Sequence, residues 1–242
     1  MIKTFLSARW ENLIMANYAV PQEVLLPYLP AGVEPDLFRG EAFVSLVGFM
    51  FKNTRLFGIP IPLMGSFEEI NLRFYVKRIE EGKIRRGVVF INETVPYKPV
   101  AWLANKLYKE HYTAVPTRNL ITESQSLKQI QYEWKVNGNW NKIKVEAAPQ
   151  TNEMQPDSHE EFIFEHYYGY TRVNQFQTQE YEVQHPRWRI HNIQHHHIHC
   201  DFKACYGPDF AFLNNALPSS VILARGSAVS VKWKRRNIKA QH

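Results

Sequence analysis

Short turns that contain glycine join long apolar segments in pairs, and this pattern restricts the chain to a fold rich in β-hairpins. Three turns have this form: Arg39-Gly40 between residues 33–38 and 42–51, Glu81-Gly82-Lys83 between residues 68–79 and 84–95, and Asn137-Gly138-Asn139 between residues 127–136 and 140–147. Such connections are typical of hairpins, because glycine and asparagine tolerate the positive φ angles of tight turns. The sequence therefore predicts three pairs of antiparallel strands.

The rest of the chain adds single strands and a few short helices. Strands are predicted over residues 10–18, 170–176, 181–184, 188–200 and 221–231. Helices are predicted over residues 21–29 and 99–108, and from the capping box of Ser158 and Glu161 to about residue 169. Residues 57–65 are predicted to form a loop, because their two prolines lack the amide donors of a central strand. The predicted fold is α+β and mostly β, a barrel or closed antiparallel sheet with a few peripheral helices.

Composition and length favour a single domain over residues 1–242 with one substantial core. Hydrophobic residues make up 45% of the chain, and no linker or repeat divides it. Cys200 and Cys205 are too few for a disulfide framework, which favours a reducing compartment. Charged Arg9 and Glu11 arrive before a signal-peptide core, and the longest apolar run, residues 42–51, is too short for a membrane span. We therefore expect a cytoplasmic protein.

The net charge of +6 is spread along the sequence, and its clearest basic cluster runs from Lys232 to Arg236. No nucleic-acid recognition motif accompanies the charge, so nucleic-acid binding is not expected. One functional hypothesis is a non-enzymatic interaction module in which this basic tail contacts an anionic partner. The sequence leaves the oligomeric state open, a homo-oligomer included.

Four segments of the chain read ARWENL (residues 8–13), VLLPYLP (24–30), FEEINLRFYV (67–76) and PSSVILARGS (218–227). These segments resemble the YqjF-like family of uncharacterised conserved proteins. Their order and spacing extend over nearly the whole chain, whereas residues 150–199 match weakly. The family is similar in turn to the acetoacetate decarboxylase superfamily. The resemblance therefore implies a barrel-like sheet around a central cavity, with helices at its rim.

The resemblance does not carry over the chemistry of acetoacetate decarboxylase. That enzyme forms a Schiff base with a ketone through a lysine whose pKa is lowered by a neighbouring cation. The corresponding place here, residues 108–113, reads YKEHYT, and no two lysines are adjacent anywhere in the chain. Lys106 and Lys109 lie nearby, but lysines at helical spacing are typical of a solvated surface. The sequence argues against decarboxylase activity and leaves open whether the protein is an enzyme.

A period-two alternation follows Phe67 and separates polar from apolar side chains. Glu69, Asn71 and Arg73 share one face of the predicted strand, and the apolar residues between them share the other. In an isolated sheet the polar face is solvated, but in a closed sheet with a cavity it can point inward. An inward Arg73 needs a polar or anionic partner, because burying an unpaired charge is costly.

The leading hypothesis is therefore a cavity that binds a small carboxylate or carbonyl compound. Its predicted ligand-binding residues are Arg9, Glu69, Asn71 and Arg73. Arg9 falls near the substrate-facing arginine of the resembled superfamily, and a guanidinium can hold a carboxylate in a bidentate pair; a salt bridge at the rim is its alternative. Candidate acid–base or hydrogen-bonding groups at the mouth are His111 and Tyr112.

Alternate histidines on the predicted strand 188–200 form a second candidate site. His195, His197 and His199 project from one face of an extended strand, a spacing that can chelate zinc or another divalent metal. Three imidazoles and one open position would suit a metal-dependent hydrolase or lyase, which is the competing enzyme hypothesis. A polar surface strand that binds metal only adventitiously is the alternative, and no other cofactor is expected.

Overall fold

Most of the chain is extended and belongs to a single large sheet. The computed structural model describes residues 4–233 and 236–239, and fifteen strands lie within these ranges. The strands are β1 (Thr4–Val20), β2 (Glu34–Pro35), β3 (Ala42–Leu56), β4 (Ile59–Pro60), β5 (Phe67–Glu80), β6 (Lys83–Val95), β7 (Tyr112–Ala114), β8 (Thr117–Glu123), β9 (Lys128–Val136), β10 (Asn139–Asn152), β11 (Tyr168–Asn174), β12 (Gln177–Gln184), β13 (Ile190–His199), β14 (Ser220–Lys232) and β15 (Arg236–Lys239).

Short helical segments connect the strands. They are α1 (Lys98–Tyr108), α2 (His159–Phe164), α3 (Phe202–Tyr206) and three 3-10 segments, Gln22–Val24, Leu26–Tyr28 and Pro208–Asn215. Helix α1 agrees with the sequence prediction, and Ser158 caps α2 by accepting a hydrogen bond from the Glu161 amide. The helix predicted over residues 21–29 is instead two 3-10 turns, because Pro27 supplies no amide donor to a continuous helix. No helix within the described ranges is long and apolar enough to cross a membrane.

Seven strands form a closed ring in the order β1, β3, β5, β6, β11, β12, β14, and β14 pairs back to β1. The closed sheet predicted from the sequence is thus confirmed. It is not wholly antiparallel, since β6 runs parallel to β11 and to β7. Strands β13, β10, β9 and β8 continue from β14 as an extension beyond the ring.

The ring strands have two apolar sides, which belong to two different cores. On β5, Ile70 and Leu72 pack with Tyr132 and Trp134 of the β9 extension. On the other side, Phe67 belongs to a second cluster with residues of β1, β3 and α2, among them Phe162. The extension therefore covers the outside of the ring, while the second cluster fills part of its interior.

Two of the three predicted hairpins form as expected. Tight turns with positive φ at Glu81 and Gly82, and at Asn137 and Gly138, join β5 to β6 and β9 to β10. The turn at Arg39-Gly40 closes only a single bridge. The preceding residues form β2, which pairs with β5 rather than with β3.

Gly226 marks a close approach between β14 and β1. It lies opposite Glu11 with φ of +83°, where the register of β1 against β3 shifts between Glu11 and Ile14. A Cβ atom at position 226 would lie 2.0 Å from the carbonyl oxygen of Trp10. Glycine is required there because of both the backbone angle and the lack of space.

Candidate functional site

The ring encloses a cavity to which all seven of its strands contribute side chains. Its wall is largely apolar, and the volume open to the centres of water molecules is about 160 Å³. One buried water needs only about 10–15 Å³ by the same measure, so the space suits a small organic molecule. The main polar or titratable side chains in the wall are Glu69, Asn71, Arg73, Glu93, Tyr108, Glu110, Tyr112, His166, Tyr168, Tyr181 and His185.

The polar face of β5 points into this cavity. Glu69, Asn71 and Arg73 all line it, and the first two are almost completely buried. Ile70 and Leu72 occupy the opposite side, in the core shared with β9. The structure therefore brings together three of the four residues predicted to bind a ligand.

Arg73 is the only lysine or arginine that lines the cavity in the described part of the chain. Its Nη2 atom lies 3.3 Å from the carbonyl oxygen of Ile163 and 3.7 Å from the sulfur of Met15, and its Nε atom has no hydrogen-bond partner. Within the same ranges it forms no ion pair with a carboxylate. The guanidinium therefore has unused capacity to bind an anion.

Three glutamates from different parts of the chain line another part of the wall, and we call them the carboxyl cluster. Glu69 lies on β5, Glu93 on β6, and Glu110 between α1 and β7; all three are buried. Their hydrogen-bond donors are neutral: Asn71 and Tyr112 donate to Glu69 at 3.0 and 3.1 Å, and Thr171 and Tyr181 donate to Glu110 at 2.5 and 2.9 Å. The Oε2 atom of Glu93 has no partner.

Burial raises the pKa of every member of the carboxyl cluster, so the cluster retains protons up to about neutral pH. Burial raises the pKa of Glu69 to about 7, and the nearby Glu110 adds to this effect. It also raises the pKa of Glu110 to about 7, despite the hydrogen bonds from Thr171 and Tyr181. The pKa of Glu93 is raised further, well above its ordinary value, by burial and by both other glutamates. A protonated carboxyl donates a hydrogen bond, so the cluster can bind a carbonyl oxygen.

A buried histidine–aspartate pair also borders the cavity. His166 lines the wall, and its Nε2 atom lies 3.2 Å from Oδ2 of Asp36. The Nδ1 atom of His166 has no hydrogen-bond partner. Asp36 is held in addition by Arg86, whose Nε atom lies 2.9 Å from the same carboxylate oxygen. No local sequence pattern indicates this pair, because its members lie 130 residues apart.

The other predicted residues of this site are divided between the cavity and the surface. Tyr112 contributes its hydroxyl group to the carboxyl cluster through Glu69. His111 is exposed and does not line the cavity. Arg9 is also exposed, and its Nε atom lies 2.9 Å from Oε1 of Glu11. The surface salt bridge that was the alternative for Arg9 is therefore what the structure contains.

The lysines near the α1 region lie outside the cavity. Lys106 is exposed on α1, with its ammonium 4.8 Å from the centre of the Trp102 ring. Lys109 is exposed at the C-terminal cap of the same helix, in the left-handed conformation. The residues that line the cavity in the described ranges include no lysine.

The histidines of β13 do not come together as a metal site. His195, His197 and His199 are exposed on one face of β13, as the alternation predicts, and they pair across the sheet with Glu146, Lys144 and Lys142. Two ammonium groups beside these imidazoles disfavour a bound cation. Over residues 4–233 and 236–239 no group of three or more His, Cys, Asp or Glu side chains is arranged to hold a metal ion.

The basic tail is only partly described. Lys232 ends β14, where it pairs with Thr4 of β1. Arg236 begins β15, and its guanidinium bonds both carboxylate oxygens of Glu80. Lys234 and Arg235 lie outside the described residues.

The closed ring with its central cavity defines the class of the protein, an acetoacetate decarboxylase-like fold. An acetoacetate decarboxylase-like enzyme from Sphingomonas wittichii RW1 is similar to it with a TM-score of 0.65 and 9% identity, over 98% of this chain and 94% of that chain. The enduracididine biosynthesis enzyme MppR, in complex with pyruvate, is similar with a TM-score of 0.63 and 12% identity, over 98% of this chain and 91% of that chain. Acetoacetate decarboxylase from Legionella pneumophila subsp. pneumophila str. Philadelphia 1 is similar with a TM-score of 0.64 and 9% identity, over 97% of this chain and 87% of that chain. Identities this low establish the fold alone.

Sequence similarity assigns the chain to a particular family. The model of the DUF2071 family of uncharacterized conserved proteins matches residues 7–228, and the chain belongs to this family. The uncharacterized protein YqjF of Bacillus subtilis (strain 168) is 35% identical over 68 residues, a stretch that spans 28% of each chain. The family resemblance predicted from the sequence is thus confirmed.

Proposed function

We propose that the protein binds a small carboxylate that also carries a carbonyl group, in the cavity of the ring and without a Schiff-base intermediate. The observation that carries the proposal is the Arg73 guanidinium, which lines a largely apolar cavity with no carboxylate partner among the described residues. A charge in such a place is costly unless it is paired. A carboxylate of the ligand would supply that pair.

The carboxyl cluster supports the second part of the proposal. The positive charge of Arg73 is near enough to Glu69 to lower its pKa, although burial raises that pKa more strongly. A compound whose carboxylate is bound by Arg73 would share the cavity with these glutamates, which can donate a hydrogen bond to its carbonyl oxygen when protonated. The complex of MppR with pyruvate shows such a ligand on a related fold, and we use pyruvate as the probe for this chain.

We exclude a Schiff base from the proposal because of the side chains that line the cavity. A Schiff base requires a free amine. Tyrosine, glutamate, histidine and Arg73 are the titratable groups that line the cavity in the described ranges, and none of them supplies a primary amine. The metal hypothesis for β13 has no comparable observation in its favour.

The first test compares two arginine variants. Arg73→Gln is expected to weaken pyruvate binding roughly 10–100-fold, because hydrogen bonds to charged groups contribute about 1.5–3 kcal/mol. Isothermal titration calorimetry with pyruvate measures the affinity, and circular dichroism checks that the variant is folded. Arg9→Gln removes the same group from the surface and is expected to leave the affinity unchanged. Failure of the wild-type protein to bind pyruvate, or equal affinities for Arg73→Gln and wild type, would contradict the proposal.

A further inference from the structure

His166 combines burial, a fixed orientation and one free ring nitrogen. Its side chain lines the cavity and packs against the ring of Tyr75, with ring centres 4.8 Å apart, and against that of Phe162 at 5.1 Å. These contacts and the hydrogen bond to Asp36 hold the imidazole in place. Only its Nδ1 atom is without a partner.

Asp36 determines which nitrogen of His166 carries the proton. Burial alone would raise the pKa of Asp36, but the hydrogen bond from His166 and the charge of Arg86 leave it below the ordinary value. Asp36 is therefore a carboxylate, which accepts a hydrogen bond and cannot donate one. The proton of a neutral His166 accordingly lies on Nε2, and Nδ1 presents a lone pair.

The imidazole is neutral in the absence of ligand, and it lines the same cavity as Arg73. Burial lowers the pKa of His166, and the charges of Arg86 and Arg73 lower it further against the opposing effect of Asp36. The Cζ atom of Arg73 lies 5.5 Å from the centre of the same Tyr75 ring that packs on His166. Arg73 and His166 therefore both contact Tyr75 and both line the cavity, so a carboxylate bound by Arg73 lies in the same cavity as a neutral base.

We infer that His166 is a catalytic base, which removes a proton from the carbon next to the carbonyl group of the compound bound by Arg73. This inference rests on the proposed function and adds a reaction to it. Asp36 is a positioning residue, since it acts on the ligand only through the imidazole. The reaction is the enolisation of a small 2-oxo acid.

The enolisation needs no reactant other than the bound 2-oxo acid and the side chains of the protein. The C3–H bond of the 2-oxo acid breaks, and its proton goes to Nδ1 of His166. The electron pair of that bond forms the C2–C3 double bond, while the carbonyl π pair moves to the oxygen, which takes a proton from a protonated glutamate of the carboxyl cluster. Reversal in D₂O returns a deuteron to C3, so the net result is hydrogen–deuterium exchange at that carbon.

The experiment follows exchange of the methyl protons of pyruvate in D₂O by proton NMR. The wild-type protein is expected to accelerate exchange over buffer, and His166→Gln to reduce this acceleration at least 100-fold, within the range of about 10²–10⁴ for general base catalysis. Pyruvate affinity of the variant should stay within about threefold of wild type. His191→Gln, which changes an imidazole outside the cavity wall, should exchange at the wild-type rate.

Asp36→Asn tests the positioning role. It is expected to slow exchange about tenfold and to change the ¹⁵N chemical shifts of the two ring nitrogens of His166, because the amide no longer fixes the proton on Nε2. A reduced rate with unchanged ¹⁵N shifts would contradict positioning through the imidazole.

The outcomes separate the inference from the proposed function. Pyruvate binding without accelerated exchange, or full exchange in a folded His166→Gln variant, overturns the inference and leaves the binding proposal standing. No binding and no exchange overturn both. One further measurement needs no substitution: the Nδ1 resonance of His166 in the wild-type protein should shift on addition of pyruvate, and an unchanged resonance overturns the inference even if the variants do not fold.

Discussion

Gly226→Ala is expected to destabilise the protein by roughly 2–5 kcal/mol, a large share of the stability of about 5–15 kcal/mol of an ordinary domain. Two costs add up. An alanine at a φ angle of +83° is strained by about 1–2 kcal/mol. Its Cβ atom would also lie 2.0 Å from the Trp10 carbonyl oxygen, so β1 must shift, at about 1–3 kcal/mol or more.

Thermal denaturation of two glycine variants separates these costs. Gly226→Ala should lower the midpoint by roughly 4–20 °C, since about 1 kcal/mol corresponds to 2–4 °C in a chain of this size. Gly40 has a similar φ of +88° and no atom within 4 Å of an added Cβ, so Gly40→Ala bears the strain alone. Equal losses in the two variants would show that the contact with β1 is not tight.

Glu93→Gln is expected to become more stable relative to wild type as the pH rises. The pKa of Glu93 is raised in the folded chain, so the folded state keeps a proton that the unfolded state releases above about pH 4.5. Each retained proton lowers the free energy of unfolding by about 1.4 kcal/mol per pH unit. Glutamine has no proton to retain, so its advantage should grow by roughly 3 kcal/mol between pH 5 and pH 7.

Urea denaturation at several pH values measures this difference. Glu11→Gln is the matched control: burial raises the pKa of Glu11, but its bonds to Lys52 and Arg9 leave it lowered overall. The contribution of Glu11 to stability is therefore lost only as the pH falls below about 4.5. The difference in free energy of unfolding between Glu11→Gln and wild type should stay constant between pH 5 and pH 7. A flat difference for Glu93→Gln as well would mean that Glu93 is ionised in the folded protein.

Local patterns in the sequence were sufficient for part of the fold and of the site. The alternation of β5 identified Glu69, Asn71 and Arg73 as one face, and turn composition identified two hairpins. The first turn was misleading, because the same Arg39-Gly40 pair closes a single bridge and the chain before it pairs with β5. Local composition does not show which strand a short segment will choose.

The missed residues have specific physical reasons. On β6 the register shifts near Ile91, so that Phe90 and Glu93 both line the cavity although they are three residues apart. Strict alternation would place them on opposite faces. Asp36 and His166 meet because β2 pairs with β5, β5 with β6 and β6 with β11, and no local pattern reports these long-range pairings. The inward direction of the β5 face depended on the family resemblance, since alternation alone does not distinguish a cavity from solvent.

The strands of the ring differ in how many residues pair with their neighbours. The hairpin of β11 and β12 pairs with β6 through only two residue pairs and with β14 through two more in the described residues, whereas the other neighbours in the ring share long ladders. Yet this hairpin carries Tyr168 and Tyr181 of the cavity wall. It is therefore the part of the ring that separates from its neighbouring strands at the lowest cost in backbone hydrogen bonds, while side-chain bonds such as those of Thr171 and Tyr181 to Glu110 also hold it. We therefore expect this hairpin to move more than the other walls of the cavity.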